Sequence, residues 1–177
     1  FFRHNMIEAA VWPANALVLT FLLVGFKGLR QRAAALAVAV STIAATNFAF
    51  GLPPAMALGF AFANGMEIAV AAWFLRTLAM PMSEPRDYLR FAGGAIIAGP
   101  MVGAALASVP MVATGAIHGA DVVDFLVRWF RADALGMAVC APFALTVAAR
   151  GVRLPQGRPL LRGSLAQLLV LAFPLMA

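Results

Sequence analysis

Apolar residues in this chain come in long unbroken runs, separated by short polar connections. Six such runs can be marked, at 9–26, 33–50, 54–75, 92–117, 122–148 and 164–177. A bilayer core about 30 Å thick needs about 20 helical residues to cross it, so the first five suffice and the sixth stops with the chain. Backbone groups in hydrocarbon must find their partners within the segment, which makes these runs helices. A transmembrane barrel would instead show short alternating segments, and there are none. The pattern predicts an all-α, polytopic integral membrane helix bundle with six visible helices, forming one domain across residues 1–177.

The polar positions orient that bundle. Ten of the thirteen basic residues lie in or beside three connections: Lys27, Arg30 and Arg32; Arg76, Arg86 and Arg90; Arg150, Arg153, Arg158 and Arg162. The alternate connections, around Pro53-Pro54 and from His118 to Val122, carry none. Basic residues beside membrane helices are retained in the cytoplasm. Residues 27–32, 76–91 and 150–163 are therefore expected on the cytoplasmic face, with Phe1 to Glu8 outside. By parity, a cytoplasmic N-terminus requires one helix before Phe1, and a cytoplasmic domain after the chain requires one more beyond Ala177. The expected whole is an eight-helix unit, incomplete here at both ends.

Composition removes several classes of function. Apolar residues make up 63% of the chain and charged residues 11%, with a mean hydropathy of +0.92, which excludes an ordinary soluble domain. The net charge of +6 sits in short loops between apolar runs, so lipid head groups and not nucleic acid are the expected partners. Cys140 is the single cysteine, leaving neither a disulfide framework nor a cysteine metal site. His118 and Asp121 alone make a poor metal site. No zinc-protease, nucleophile-elbow or phosphate-loop motif is present. No catalytic residue, metal or cofactor is expected.

Polar residues inside the runs carry the remaining information, because ionisable groups at bilayer depth cost several kcal/mol and normally face protein or water. Glu67 lies about 20 Å along the third run, and Asn64 shares its face one turn earlier. In the fifth run Asp124, Arg128 and Arg131 form one stripe, while Trp129, Asp133, Gly136 and Cys140 form another. The third and fifth helices run in the same direction, which puts Glu67 within about two turns of Arg131 and Asp133 in depth. Asn64, Glu67, Arg128, Arg131 and Asp133 are thus the candidate signal site, with a Glu67–Arg131 or Glu67–Arg128 pair as its expected link. An interhelical staple, with the arginines snorkelling outward, accounts for the same residues. Asn47 is placed to hydrogen-bond a neighbouring helix, and Trp12-Pro13 to start the first helix at the outer interface. Ala95, Gly99, Gly103 and Ala107 form a small-residue face for close helix packing. Pro100, Pro110 and Pro142 should kink their helices.

Taken in order, these marks resemble the first type of bacterial membrane-associated sensor domain, of the MASE family. The likeness runs from about Val11 to Pro142. It rests on the segment Val11-Trp12-Pro13-Ala14-Asn15-Ala16-Leu17, on Asn64 and Glu67 followed by Arg76, and above all on Trp129 to Gly136 continuing to Pro142. Asn15 stands where the family often has glycine, and Phe130 where it has a second tryptophan. The resemblance implies an eight-helix sensor of the bacterial inner membrane. Such domains form the N-terminal input module of histidine kinases and of cyclic di-GMP enzymes, whose output motifs do not occur in these residues. An accessory transmembrane subunit of a larger complex and a transporter fragment are the alternative readings. Beyond the bilayer, the expected partner is a second copy or a larger membrane-protein complex.

Overall fold

A computed structural model describes residues 11–77, 82 and 84–149. Five helices account for most of them: α1 (Ala14–Gly25), α2 (Leu29–Ala49), α3 (Pro54–Leu75), α4 (Pro85–Ala113) and α5 (Ala120–Ala149). There is no strand among the described residues. The fold is the expected polytopic helical bundle, with five helices among the described residues against the six expected for the chain. The run at 164–177 lies outside the described residues, as do Phe1 to Glu8 and the basic segment from Arg150 to Arg162.

Helices α2 to α5 are long and apolar enough to cross a membrane, whereas α1 has only 12 residues. Prolines open α3 and α4 at the first helical turn, where the missing N–H costs nothing. Gly51, Gly115 and Gly119 take positive φ in the two connections that lack basic residues, a conformation that favours glycine. Asn47 Nδ2 donates to the Ala57 carbonyl at 3.2 Å, tying α2 to α3 as the sequence suggested. At the opposite end of the bundle, Arg32 Nε donates to the Phe26 carbonyl at 2.9 Å. That bond satisfies a carbonyl where α1 runs out.

Helices α1, α3, α4 and α5 form a four-helix bundle. Helix α3 packs on α4 and α1, and α5 packs on α1 and α4. Helix α2 lies outside this group, mainly against α3, and Ile43 is its one buried residue. The bundle interior is layered. One apolar cluster joins Met56, Ala63, Ala107, Met111 and Phe125. A second joins Leu19, Leu22, Ile68, Leu75, Met137 and Leu145 towards the basic end. Between them, in chain order on α3 and α5, fall Asn64, Glu67 and Asp133.

Helix α4 changes its winding at that level. Residues Ala92–Ala98 are π-helical, and the Gly99 N–H reaches back five residues to the Gly94 carbonyl. The cause lies just ahead: Pro100 has no N–H, and its ring would strike the carbonyl four residues earlier in a regular helix. A wider turn relieves that clash. The expected distortion at Pro100 is therefore a π-segment. Pro110 and Pro142 lie within helical stretches that continue past them.

Candidate functional site

Three helices each contribute a buried polar side chain to one layer. Asn15 comes from the first turn of α1, Asn64 and Glu67 from the middle of α3, and Asp133 from the middle of α5. Their exposures are 1%, 4%, 0% and 3%. Glu67 and Asp133 each lie thirteen residues beyond the start of their helix, about 20 Å at 1.5 Å per residue. Parallel helices of matching offset bring the two carboxyl groups to the same depth. The Glu67 carboxyl lies directly against that of Asp133 and against the Asn15 amide. Asp133 in turn meets the Trp129 indole. No described lysine, arginine or histidine is paired with either carboxyl group.

The two asparagines form an ordered relay. Asn64 Nδ2 donates to the Phe60 carbonyl of its own helix at 2.8 Å, which turns Asn64 Oδ1 towards α1. Asn15 Nδ2 donates to that oxygen at 2.7 Å. The Asn15 amide is thereby oriented, and its Oδ1 is left buried without a hydrogen-bond partner. Both Glu67 oxygens and Asp133 Oδ2 are in the same condition. A buried acceptor with no partner costs about 1–3 kcal/mol, and a charged one more. With the Trp129 Nε1 donor, likewise buried beside Asp133, these oxygens concentrate the unsatisfied polar groups of the bundle in one layer among the described residues.

The small-residue face of α4 makes room for this arrangement. Ala95 and Ala107 are fully buried, and Gly99 and Gly103 press on Glu67 itself. A methyl group on Gly103 would fall 2.7 Å from Glu67 Oε2, and one on Gly99 would fall 3.1 Å from the Glu67 carbonyl oxygen. The neighbour that Gly99 and Gly103 admit is the helix carrying the acid. On the other flank, the rings of Phe60 and Phe125 lie 5.2 and 5.6 Å from that of Trp129.

The start of α1 is held at the same depth. The Trp12 N–H donates to the Ala132 carbonyl at 3.0 Å, and Gly136, one turn further along α5, lets the Trp12 backbone approach where any Cβ would collide with its carbonyl oxygen. Ala132 lies about 18 Å from the start of α5. Trp12 and Pro13 thus begin α1 in the middle of the bundle, not at an outer interface. That depth is what delivers Asn15 to the acids. Pro142, partly buried, sits two turns further on, where the Thr146 hydroxyl donates to its carbonyl at 2.7 Å.

Of the five residues expected to form the site, the structure gathers Asn64, Glu67 and Asp133 and leaves Arg128 and Arg131 apart. Both arginines are exposed. Arg128 Nη2 pairs with Asp124 at 2.9 Å along the outer face of α5. The expected link from Glu67 to one of these arginines is replaced by a carboxyl pair, because residues two apart on a helix point about 200° away from each other. Once Asp133 faces inward, Arg131 faces out. Asn15, marked by the sequence as a family-motif position but not as part of the candidate signal site, is the fourth member of the layer. Its position in the helix was legible, but the depth of α1 was not. Compared with known protein families, the MASE1 model matches residues 1–177, the entire chain. No curated protein and no solved structure matches.

Proposed function

The chain belongs to the MASE1 family of membrane-associated sensory domains, and from that premise we propose that it relays a signal from within the bilayer to a cytoplasmic output domain of the same polypeptide. The reading places it in the bacterial inner membrane with residues 27–32, 76–91 and 150–163 on the cytoplasmic side. The observation that carries it is the polar layer of Asn15, Asn64, Glu67 and Asp133, buried between two apolar clusters without a compensating cation among the described residues. Ionisable groups so placed are expensive in a membrane and mark function.

A signal acting on this layer would change how α3 sits against α4 and α5. These helices lead to the end of the bundle where the basic connections lie. A ligand or ion shifts such packing only by preferring one arrangement over another, so the pair Glu67–Asp133 is where the preference would arise. The test is made in the full-length protein, by measuring output with Glu67→Gln and with Asp133→Asn at matched membrane abundance. Output locked at one level, high or low, in both variants is the expected result. Unaltered regulation in both would remove the polar layer from the signalling path.

A second reading is favoured by α2, which leaves Ala37, Ser41, Ala45 and Ala49 exposed on one face at four-residue spacing. Such a face suits close approach of another membrane helix, as in a homodimer or a subunit of a larger complex. Ser41→Leu places a bulky side chain in the middle of that face. Loss of a stoichiometric partner on purification from mild detergent supports this reading, and an unchanged oligomeric state argues against it.

A further inference from the structure

We propose that the corner between α3 and α4 binds an anionic phospholipid, with Arg76 and Arg90 holding its phosphate and the apolar face of α3 receiving an acyl chain. The corner lies at the end of the bundle that carries the basic connections. Its two arginines are held by neutral partners. The Arg76 guanidinium sits 4.8 Å over the Trp73 ring, and Arg90 Nη1 donates to Thr77 Oγ1 at 3.4 Å. Arg76 and Thr77 adjoin in sequence, so both guanidinium groups gather where α3 ends. The two acids of this connection are engaged or buried: Glu84 pairs with Arg86, and Asp87 is enclosed. Among the described residues no ion pair joins Arg76 or Arg90 to an acid. Both keep their charge for a ligand.

The ligand class follows from what surrounds that charge. A guanidinium offers a planar fork of donors that matches phosphate oxygens, and two of them at one corner suit a phosphodiester. Leading away from Arg76, the exposed side chains of Leu58, Phe62, Met66 and Trp73 share one face of α3. That face runs about 22 Å along the helix into the bilayer, at 1.5 Å per residue. Trp73 belongs to both parts. Its ring holds Arg76, and its exposed surface, 58% of the residue, begins the apolar track. Next to Arg90, Leu89 is exposed as well and lines an open apolar cleft with Pro85, Tyr88 and Ala92. A soluble phosphate would use the arginines and leave this apolar surface unmet, whereas a lipid uses both. A zwitterionic head group would bring its own cation to a basic corner, so the preference is for net negative charge.

The full-length protein, purified in a neutral detergent and stripped of lipid, is heated with increasing phosphatidylglycerol, phosphatidylcholine or inorganic phosphate at constant ionic strength. Phosphatidylglycerol is expected to raise the unfolding midpoint saturably, by about 4 °C, and the other two should not. Arg76→Gln and Arg90→Gln should each weaken the apparent affinity about fivefold, the effect of one basic residue at a lipid surface. The double variant should lose the shift. Both positions are exposed, so the lipid-free midpoint should hold in all three and shows that the fold is intact. Trp73→Leu keeps the track apolar but releases Arg76, and should weaken affinity about threefold. Arg30→Gln, exposed at the same end but outside the corner, and Arg86→Gln, already paired with Glu84, should leave it unchanged. An equal loss in these two would spread the attraction over the whole basic end and overturn the proposal. A matching shift with phosphatidylcholine would mean general packing of lipid around the bundle, and one with inorganic phosphate a site for a soluble anion; either overturns it, as does the absence of any saturable shift.

Discussion

Helix α5 carries two sets of ionisable residues, and they have opposite surroundings. Asp124, Arg128 and Arg131 lie on its outer face, where Arg128 and Asp124 pair with half or more of each side chain exposed. Asp133, two residues past Arg131, is buried against Glu67 and backed by the contact between Gly136 and the Trp12 backbone. In sequence the outer set is the more conspicuous, with three charges in eight residues. In space the inner acid is the one that is buried, with no cation described beside it. Charge within an apolar run therefore identifies a site only once the packing face of the helix is known, and on α5 that face is declared by Gly136.

The largest expected effect tests this directly. Gly136→Val would drive a branched side chain into the Trp12 carbonyl and push α1 off α5, at a cost of about 3 kcal/mol. Loss of the folded, monodisperse protein on size-exclusion chromatography in detergent is the expected outcome. Leu135→Val, one residue away on the exposed face, should leave the elution profile and unfolding midpoint unchanged. Equal damage from the two substitutions would break the distinction between the faces.

A smaller effect is expected at the asparagine relay. Asn15→Ala removes the donor to Asn64 Oδ1 and leaves that oxygen buried without it. The cost should be about 1–2 kcal/mol, the range for an interhelical hydrogen bond between membrane helices and a stranded polar atom. Thermal unfolding reads this as a lower midpoint. Asn47→Ala, whose bond to the Ala57 carbonyl is only partly buried, should cost about half as much. A larger loss at Asn47 than at Asn15 would mean that the α2–α3 contact, and not the polar layer, carries more of the stability.

How far these features could be read beforehand depends on whether they are local. The runs that became α2 to α5 announced themselves by length, and the pairing of Asn64 with Glu67 on one face followed from their three-residue spacing. The ladder of Ala95, Gly99, Gly103 and Ala107 was visible as a small-residue face, though not that Glu67 would be the group it accommodates. Arg128 and Arg131 were drawn into the site on depth alone. The helical wheel already separated them from Asp133 by about 200° for Arg131, and only the rotation of α5 remained to be fixed. That rotation is set by the Trp12–Gly136 approach, a contact across 124 residues of chain. The depth of α1, and with it the role of Asn15, depends on the same contact and so was hidden for the same reason.

The smallest expected effect lies on the outer face. An exposed ion pair at four-residue spacing gains little, because the charges remain screened and two long side chains must be held in place; about 0–0.5 kcal/mol is typical. Arg128→Gln should therefore move the unfolding midpoint by no more than about 1 °C, and output in the full-length protein should stay regulated. Were Arg128→Gln to lock the output as Glu67→Gln is expected to, the outer stripe would belong to the signalling surface as well. The two faces of α5 would then be coupled through the rotation of one helix, since turning Asp133 away from Glu67 necessarily turns Arg128 and Arg131 inward.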